Sequence, residues 1–253
     1  MRLYRPYGLY KLYRLIMSGH SKWANIKRKK EANDKVKGNV FGKMSRIITL
    51  AVLEHGGLTD PAHNVKLRLA IEKARAVNMP NDNIKRAIEK GVGPDKSQLQ
   101  EIFYEGFVTD GITFIIQTTT DNHNRTLTEI RNIMDRNGGK MGAAGSVMYQ
   151  YTKCARMVIN KSNATEEAVL KTADKLQALD IDEDETHYYI YFPFENLGHL
   201  KNLLDDLKFD SAGIDFKPQT HIEIADLNKL SKIEALIDTL EALDDVHKVF
   251  TNL

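Results

Sequence analysis

The densest cationic stretch of the chain lies near its amino terminus, in residues 19–30. It places Trp23, the only tryptophan in the chain, among five basic side chains. Cations bind phosphates, and an aromatic ring can either stack on a base or pack as a hydrophobic anchor. The residue types and spacing therefore predict a nucleic-acid contact, with both roles of Trp23 left open. The residues expected to bind in this stretch are His20, Ser21, Lys22, Trp23, Asn25, Lys27, Arg28, Lys29 and Lys30.

Charge is strongly segregated along the chain. The first hundred residues carry 21 Lys and Arg against 8 Asp and Glu, whereas the remaining 153 carry 15 against 26, although the net charge of the whole is only +2. Separation on this scale steers association with a polyanion, and nucleic acid is the commonest one. Further cations of the front part should therefore face outward and bind phosphate: Lys43, Arg46, Lys66, Arg68, Lys85 and Arg86.

A glycine-rich run at residues 138–146 has the composition of a phosphate-binding loop. Such loops join a strand to a following helix, whereas here the predicted order is helix, glycine-rich run and then strand. Two interpretations stay open: a helix C-cap with a flexible turn, or a mobile loop that approaches an RNA backbone closely. The candidate contacts in this loop and in the preceding strand-to-helix connection are Asn122, Asn124, Arg125, Gly139, Lys140, Gly142 and Gly145.

The remaining motifs predict no enzyme. The acidic residues of 180–185 begin like a calcium loop, but they lack its glycine and its downstream glutamate, so they are interpreted as a solvated loop. The eight histidines have no metal-binding spacing, and the single Cys154 cannot build a cysteine-based zinc site. We therefore expect no catalytic residue, no metal, no cofactor and no small-molecule substrate.

Length and composition indicate a globular protein of two or three domains, with 253 residues, 42% of them hydrophobic and 28% charged. The longest apolar stretch, 47–53, is far short of the roughly 20 residues that span a bilayer, so no membrane contact is expected. We expect a cytoplasmic monomer. Residues 1–16 are basic and contain neither an acid nor a serine, so they are either a dispensable leader before Met17 or a transit peptide that would direct the protein to the mitochondrial matrix.

Residues 18–96 are predicted to be helical. Apolar side chains recur at helical spacing from Val40 to Val52, and a Gly-Gly pair at 56–57 ends the run. Asp60 and Pro61 are expected to open a second helix, and a third follows Pro80 and ends at Gly91.

Strand patterns begin after residue 98. Strands at 103–108 and 112–119 flank an Asp110-Gly111 turn, which is a strong hairpin signal. A helix is then expected to open near Thr126, because Glu129 completes a capping box. The further predicted strands are 147–152, 156–160, 187–192, 212–217, 221–225 and 246–251, with helices at 165–179, 195–208 and 227–243.

This order of elements predicts an α+β protein: an N-terminal helical domain followed by two ferredoxin-like α/β-sandwich domains, one inserted in the other. Two strand–helix–strand sets, 112–152 and 221–251, would complete one sandwich, and the set between them would form the second. Sequential domains without insertion stay an alternative. The expected bounds are 1–17 for the leader, 18–96 for the helical domain, 97–153 with 219–253 for the discontinuous domain, and 154–218 for the inserted one.

Several separated motifs resemble those of the YebC/PmpR family. They begin with the Gly-His-Ser-Lys-Trp-Ala-Asn-Ile-Lys run at 19–27 and continue with Leu-Arg-Leu-Ala-Ile at 67–71 and the stretch 78–88. The resemblance resumes at Tyr-Glu-Gly (104–106), at 120–126, at 138–139 and 145–147, and at 236–241 and 244–246. The chain departs from the family pattern in three loops, at 108–110, at Thr59 and at 177–180.

The resemblance implies a non-enzymatic three-domain regulator of gene expression. Family members have been described as DNA-binding transcriptional regulators. Others act on the ribosome, among them the mitochondrial translational activators of cytochrome oxidase and bacterial members that relieve stalling at proline-rich sequences. We therefore expect a ribosome-associated translation factor that contacts ribosomal RNA, with a DNA-binding transcriptional regulator as the alternative.

Overall fold

A computed structural model describes residues 34–93, 98–204 and 207–253. Two compact units make up this part of the chain. One runs to Gln150 and includes Ile224–Asn252, and the other comprises Tyr151–Glu223 and Leu253. The helices and strands follow in this order: α1 (Asp34–Glu54), α2 (Val65–Ala76), α3 (Asn81–Val92), β1 (Gln100–Phe107), β2 (Thr113–Thr120), α4 (His123–Arg136), β3 (Lys140–Met141), β4 (Tyr151–Asn160), α5 (Glu166–Leu176), β5 (Asp180–Glu183), β6 (His187–Phe192), α6 (Leu200–Leu203), β7 (Ser211–Pro218), α7 (Leu227–Glu241) and β8 (Val246–Thr251).

Helices α1, α2 and α3 share one apolar core, because each carries a buried stripe at helical spacing. Helix α1 stops at a Gly-Gly pair with positive φ at both residues, 65° and 89°, as the sequence predicts. Helices α1 and α3 approach each other closely at Gly91, where an added Cβ would lie 2.7 Å from the Cβ of Val52. A glycine at this position therefore sets the distance between the two helices.

The prediction that Asp60 opens the second helix is wrong. Helix α2 begins four residues later, and its N-cap is Asn64, whose Oδ1 accepts from the backbone N–H of Leu67 at 3.0 Å. The Asn64 amide also donates to the carbonyls of Ala51 and Leu58. This side chain is fully buried and makes three hydrogen bonds, one of them to a carbonyl of α1, so it joins α2 to α1. Asp60 caps only the preceding turn, through the N–H of Ala62.

The first unit contains an antiparallel four-stranded sheet in the order β3-β1-β2-β8. The predicted hairpin is confirmed: β1 and β2 pair along their whole length, and the turn between them has positive φ at Asp110 and Gly111. The last strand, β8, comes from the carboxyl terminus and pairs with β2. In sequence, the segment 151–223 therefore lies between β3 and β8, two strands of one sheet.

Two of the predicted strands differ from the observed structure. Residues 147–152 form a short 3₁₀ turn, Met148–Gln150, followed by the start of β4, because the N–H groups of Val147 and Met148 donate to a carboxylate and not to a neighbouring strand. The third strand of this sheet is instead the two-residue β3. Residues 221–225 lie in an irregular segment, and Asp226 then caps α7.

The second unit contains the other antiparallel sheet, in the order β5-β6-β4-β7. Its elements run strand, helix, strand, strand, helical segment, strand, with the first and third strands at the centre, which is the ferredoxin-like arrangement. The predicted helix at 195–208 is much shorter, since a 3₁₀ helix, Phe194–His199, precedes the four residues of α6.

The acidic stretch at 180–185 is not the solvated loop that the sequence predicts. Its first part is β5, and Asp182 and Asp184 are each only 5% exposed. The Asp184 carboxylate accepts from the N–H of Thr186 and His187 and from the hydroxyl of Tyr189, at 2.6 to 2.7 Å. These bonds hold the turn before β6. The pKa of Asp184 is lowered because these bonds outweigh its desolvation by burial.

The observed fold confirms the predicted α+β class, with a helical N-terminal region and two antiparallel sheets. The exact domain bounds stay a prediction. Among the helices of the described ranges, none is long and apolar enough to cross a membrane.

Candidate nucleic-acid interface

The predicted nucleic-acid contact that contains the largest number of cations, His20 to Lys30, lies outside the described residues. Within 34–93, Lys and Arg number 11 and Asp and Glu number 6. Helices α1 to α3 are therefore cationic, but most of the positive excess of the first hundred residues belongs to residues 1–33. The predicted cations that the structure describes fall into two groups, which differ in what surrounds them.

Lys43 and Arg46 form the first group, on the face of α1 that meets the carboxyl-terminal part of the same unit. The Lys43 ammonium donates to the backbone carbonyl of Glu241, and the Arg46 guanidinium forms an ion pair with Asp245. Both cations join α1 to the end of α7 and to the turn before β8, a role that the sequence did not predict. A phosphate would have to compete with these acceptors for the same donors.

Asp245 is the centre of this junction. Its carboxylate, 3% exposed, accepts from Arg46, from Arg125 at 2.9 Å and from the hydroxyl of Thr126 at 2.6 Å. Burial opposes its ionisation, but the bonds from Arg125 and Thr126 and the charge of Arg46 outweigh it, so the pKa of Asp245 lies below its usual value. Three stretches that are far apart in sequence thus meet at one carboxylate.

His247 lies two residues further on in β8, where the pairing with β2 shifts register. Its two ring nitrogens are buried and have no hydrogen-bond partner among the described residues. Burial, together with the charges of Lys43, Arg46 and Lys73, lowers the pKa of His247 to about 3. The ring is therefore neutral at physiological pH, which lets it lie beside three cations without repulsion.

Lys66, Arg68, Lys85 and Arg86 form the second group, on the outer surfaces of α2 and α3. Lys66 is exposed and pairs with Glu54 at 2.7 Å, a contact that solvent weakens, and Arg68 is partly exposed. Lys85 and Arg86 are exposed, and neither makes an ion pair with any residue that the structure describes. Their charges are the ones most available to a phosphate.

The connection between β2 and α4 is built by local hydrogen bonds. Helix α4 begins at His123, and its N-cap is Asn122, which accepts from the N–H of Arg125 at 3.1 Å. The predicted capping box at Thr126 is wrong, because Thr126 is buried inside the helix and bonds Thr120 and Asp245. Asn124 is exposed, and its backbone carbonyl accepts a bond from the Thr128 hydroxyl. Arg125 pairs with Asp121 as well as Asp245.

The glycine-rich run follows α4, and its first glycine has the positive φ, 75°, of a helix C-cap. Gly139 is buried against Met134, so its backbone does not face a partner. The N–H of Gly142 donates to the Glu105 carbonyl and that of Gly145 to the Glu105 carboxylate. These three glycines are therefore not free donors for a phosphate, whereas the side chain of Lys140 is exposed.

Sequence reasoning did not single out Glu105, Asp245 or His247. Tyr-Glu-Gly and Asp-Asp-Val supported the family resemblance, but nothing in those residue types showed that the two carboxylates are buried. Within the described ranges there is no cluster of three His, Cys, Asp or Glu side chains that could hold a metal ion.

The described part of the chain is thus an α+β fold with a helical N-terminal region and two antiparallel sheets. Two family profiles match it: the TACO1/YebC N-terminal domain over residues 21–94, and the TACO1/YebC second and third domain over residues 99–253. The chain belongs to the TACO1/YebC family.

Curated relatives match along nearly the whole chain. A probable transcriptional regulatory protein of Chlorobium chlorochromatii is 42% identical over 241 residues, which cover 94% of this chain and 95% of the relative. One from Syntrophomonas wolfei is 40% identical over 243 residues, covering 94% and 96%. The crystal structure of a conserved hypothetical protein from Aquifex aeolicus has a similar fold, with a TM-score of 0.81 and 36% identity, covering 91% of this chain and 95% of that one.

Proposed function

We propose that this protein is a non-enzymatic regulator of gene expression that binds nucleic acid. The observation that carries the proposal is the pair Lys85 and Arg86, which are exposed on α3 and make no ion pair within the described residues. Unpaired surface cations bind a phosphate backbone and release its counterions on doing so. The cationic stretch 19–30 would extend the same contact, as the sequence predicts.

The first candidate target is duplex DNA. The relatives described above are named probable transcriptional regulatory proteins, and these names support transcription regulation for this chain. Phosphate contacts from α3 position a protein on DNA but do not read its sequence, so specificity would come from groups that reach the base edges.

The second candidate target is ribosomal RNA, with the protein acting as a ribosome-associated translation factor that relieves stalling or activates translation. One structural observation supports it. The first turn of α3 carries Asp82 and no cation, so this helix start does not offer a cationic surface to a DNA groove. Contacts confined to the backbone suit a folded RNA that is recognised by shape.

The test compares a Lys85→Ala/Arg86→Ala double variant with a matched control, Lys171→Ala/Lys175→Ala, which removes two positive charges from α5 instead. Binding to a labelled DNA duplex and to purified ribosomes is measured as salt is raised. We expect the slope of log affinity against log salt to fall by about two for the Lys85/Arg86 variant and not for the control.

The outcomes separate the two targets as well. A change confined to the DNA duplex supports transcription regulation, and one confined to ribosomes supports the translation factor. If wild type and both variants bind each target with the same affinity and salt slope, the α3 surface is not the contact and the proposal fails.

A further inference from the structure

Glu105 occupies the centre of an unusual contact between β1 and the glycine-rich run. Its side chain is 5% exposed, and its carboxylate accepts three backbone N–H bonds: from Gly145 at 2.6 Å, from Val147 at 2.5 Å and from Met148 at 2.8 Å. Its own carbonyl accepts from the N–H of Gly142 at 2.8 Å. Several N–H groups of one loop thus surround a single carboxylate, as in an anion-binding nest, and this fixes the backbone that supplies them.

The loop 142–148 therefore has one defined conformation, set by Glu105. Gly145 has a φ of 83°, which a side chain would strain. At Gly142, an added Cβ would lie 2.2 Å from the hydroxyl oxygen of Ser146, so the loop closes tightly on itself. The interpretation as a mobile loop does not fit this geometry.

Two large aromatic side chains flank the fixed loop and face solvent. Tyr149 is 69% exposed and directly follows Met148, whose N–H is bound by Glu105. Phe107 is 42% exposed and lies two residues after Glu105, on the same face of β1. An exposed tyrosine ring suits an interface because it combines a flat apolar face with a polar hydroxyl.

The positive charge of this surface indicates an anionic partner. Residues 136–150 contain Arg136 and Lys140 and no Asp or Glu. Lys140 is exposed in the edge strand β3, opposite Phe107. A cation beside an exposed ring suits a nucleotide, which offers a phosphate and a flat base together. The base must be unpaired, as in a loop of folded RNA, because a duplex stacks its bases inside.

We propose that Tyr149 stacks on an unpaired RNA base while Lys140 contacts a nearby phosphate, and that Glu105 is the positioning residue that holds the Tyr149 backbone in place. This rests on the proposed function in that the chain binds nucleic acid. The inference adds a second binding surface, distinct from the surface of α3, and names single-stranded RNA as its ligand.

The test uses the full chain with a fluorescein-labelled 12-nucleotide single-stranded RNA, a fully paired RNA duplex, and single-stranded DNA of the same sequence. We expect Tyr149→Ala to weaken binding of the single-stranded RNA about tenfold. Tyr149→Phe, which keeps the ring, should stay within about twofold. Neither change should alter binding of the duplex.

Glu105→Gln tests the positioning role, since its side chain does not touch the RNA. The variant should lose single-stranded RNA affinity as Tyr149→Ala does, while its thermal unfolding remains cooperative. Glu101→Gln, on the same strand, is the matched control and should bind as wild type does. RNA carrying 4-thiouridine should crosslink to Tyr149 in wild type and much less in Glu105→Gln, an effect that lost stability alone would not produce.

Unchanged single-stranded RNA binding by Tyr149→Ala would overturn the inference. Tighter binding of the DNA strand than of the RNA strand would overturn the choice of RNA. If Tyr149→Ala has no effect while Lys85→Ala/Arg86→Ala still weakens binding, the inference falls and the proposed function stands. If wild type binds none of the nucleic acids, both fall.

Discussion

Two buried carboxylates of the same unit, Asp245 and Glu105, are stabilised by different kinds of hydrogen-bond donor. Asp245 is bound by side chains, two guanidinium groups and a hydroxyl, that come from α1 and α4. Glu105 is bound by backbone N–H groups of a single loop. Asp245 therefore depends on the charge and reach of distant residues, whereas Glu105 depends on the path of its neighbouring backbone. A junction of the first kind should respond to substitution of its side-chain partners, whereas the donors of the second are backbone groups that a side-chain substitution does not remove.

The largest effect is expected when the Asp245 carboxylate is removed. Asp245→Ala leaves Arg46 and Arg125 without their shared partner and the Thr126 hydroxyl with one acceptor fewer. Breaking a buried pair costs 3–5 kcal/mol, and because both guanidinium groups are partly exposed we expect about 3 kcal/mol of unfolding free energy. Urea denaturation measures it, with Asp244→Ala, at an exposed neighbour, as the control. Equal stability of the two variants would contradict the role of Asp245.

Acid should weaken the same junction through His247. Its pKa is about 3 in the folded protein and about 6.5 in the unfolded chain, so the unfolded chain takes up the proton first as pH falls. The stability it contributes is complete above pH 6.5 and decreases below, by about 2 kcal/mol at pH 5. Urea denaturation of wild type and His247→Phe between pH 7 and 5 should show a flatter profile for the variant. His55→Phe, at an exposed position, should follow wild type, and parallel profiles for all three would refute the prediction.

A smaller loss is expected at the amide-bound carboxylate. Glu105→Gln keeps one acceptor oxygen but places an NH₂ group against N–H donors, so we expect a loss of about 1.5 kcal/mol. This stability measurement is separate from the binding test above. Urea denaturation at pH 7 measures the loss, with Glu101→Gln on the same strand as the control. A loss as large as that of Asp245→Ala would remove the distinction between the two regions.

The smallest effect on the free energy of unfolding is expected when the Thr126 hydroxyl is removed. Thr126→Val keeps the shape of the buried side chain but removes its bond to Asp245, which should cost about 1 kcal/mol. In combination with Asp245→Ala the two losses should not add, because both variants break the same bond. Thermal unfolding of the two single variants and the double variant gives the coupling energy. Simple addition would mean that Thr126 stabilises the helix independently of Asp245.

The sequence by itself determined much of this protein. Helical stripes and a Gly-Gly stop predicted α1 and α3, the Asp110-Gly111 pair predicted the hairpin, and separated motifs predicted the family. These signals are local, since periodicity and turn chemistry depend on neighbouring residues. The misassigned strands at 147–152 and 221–225 and the misplaced caps at Asp60 and Thr126 show the limit of that reasoning, because equally suitable capping groups lay nearby in Asn64 and Asn122.

Only the tertiary structure decided which charges remain available. Nothing local distinguishes Arg46 from Arg86, yet one is paired with Asp245, 199 positions along the chain, and the other faces solvent. The same holds for Glu105, whose three partners are about forty residues away. A charged group takes its role from whatever lies within a few ångströms of it, and the folding of distant segments, not residue type, brings those neighbours together.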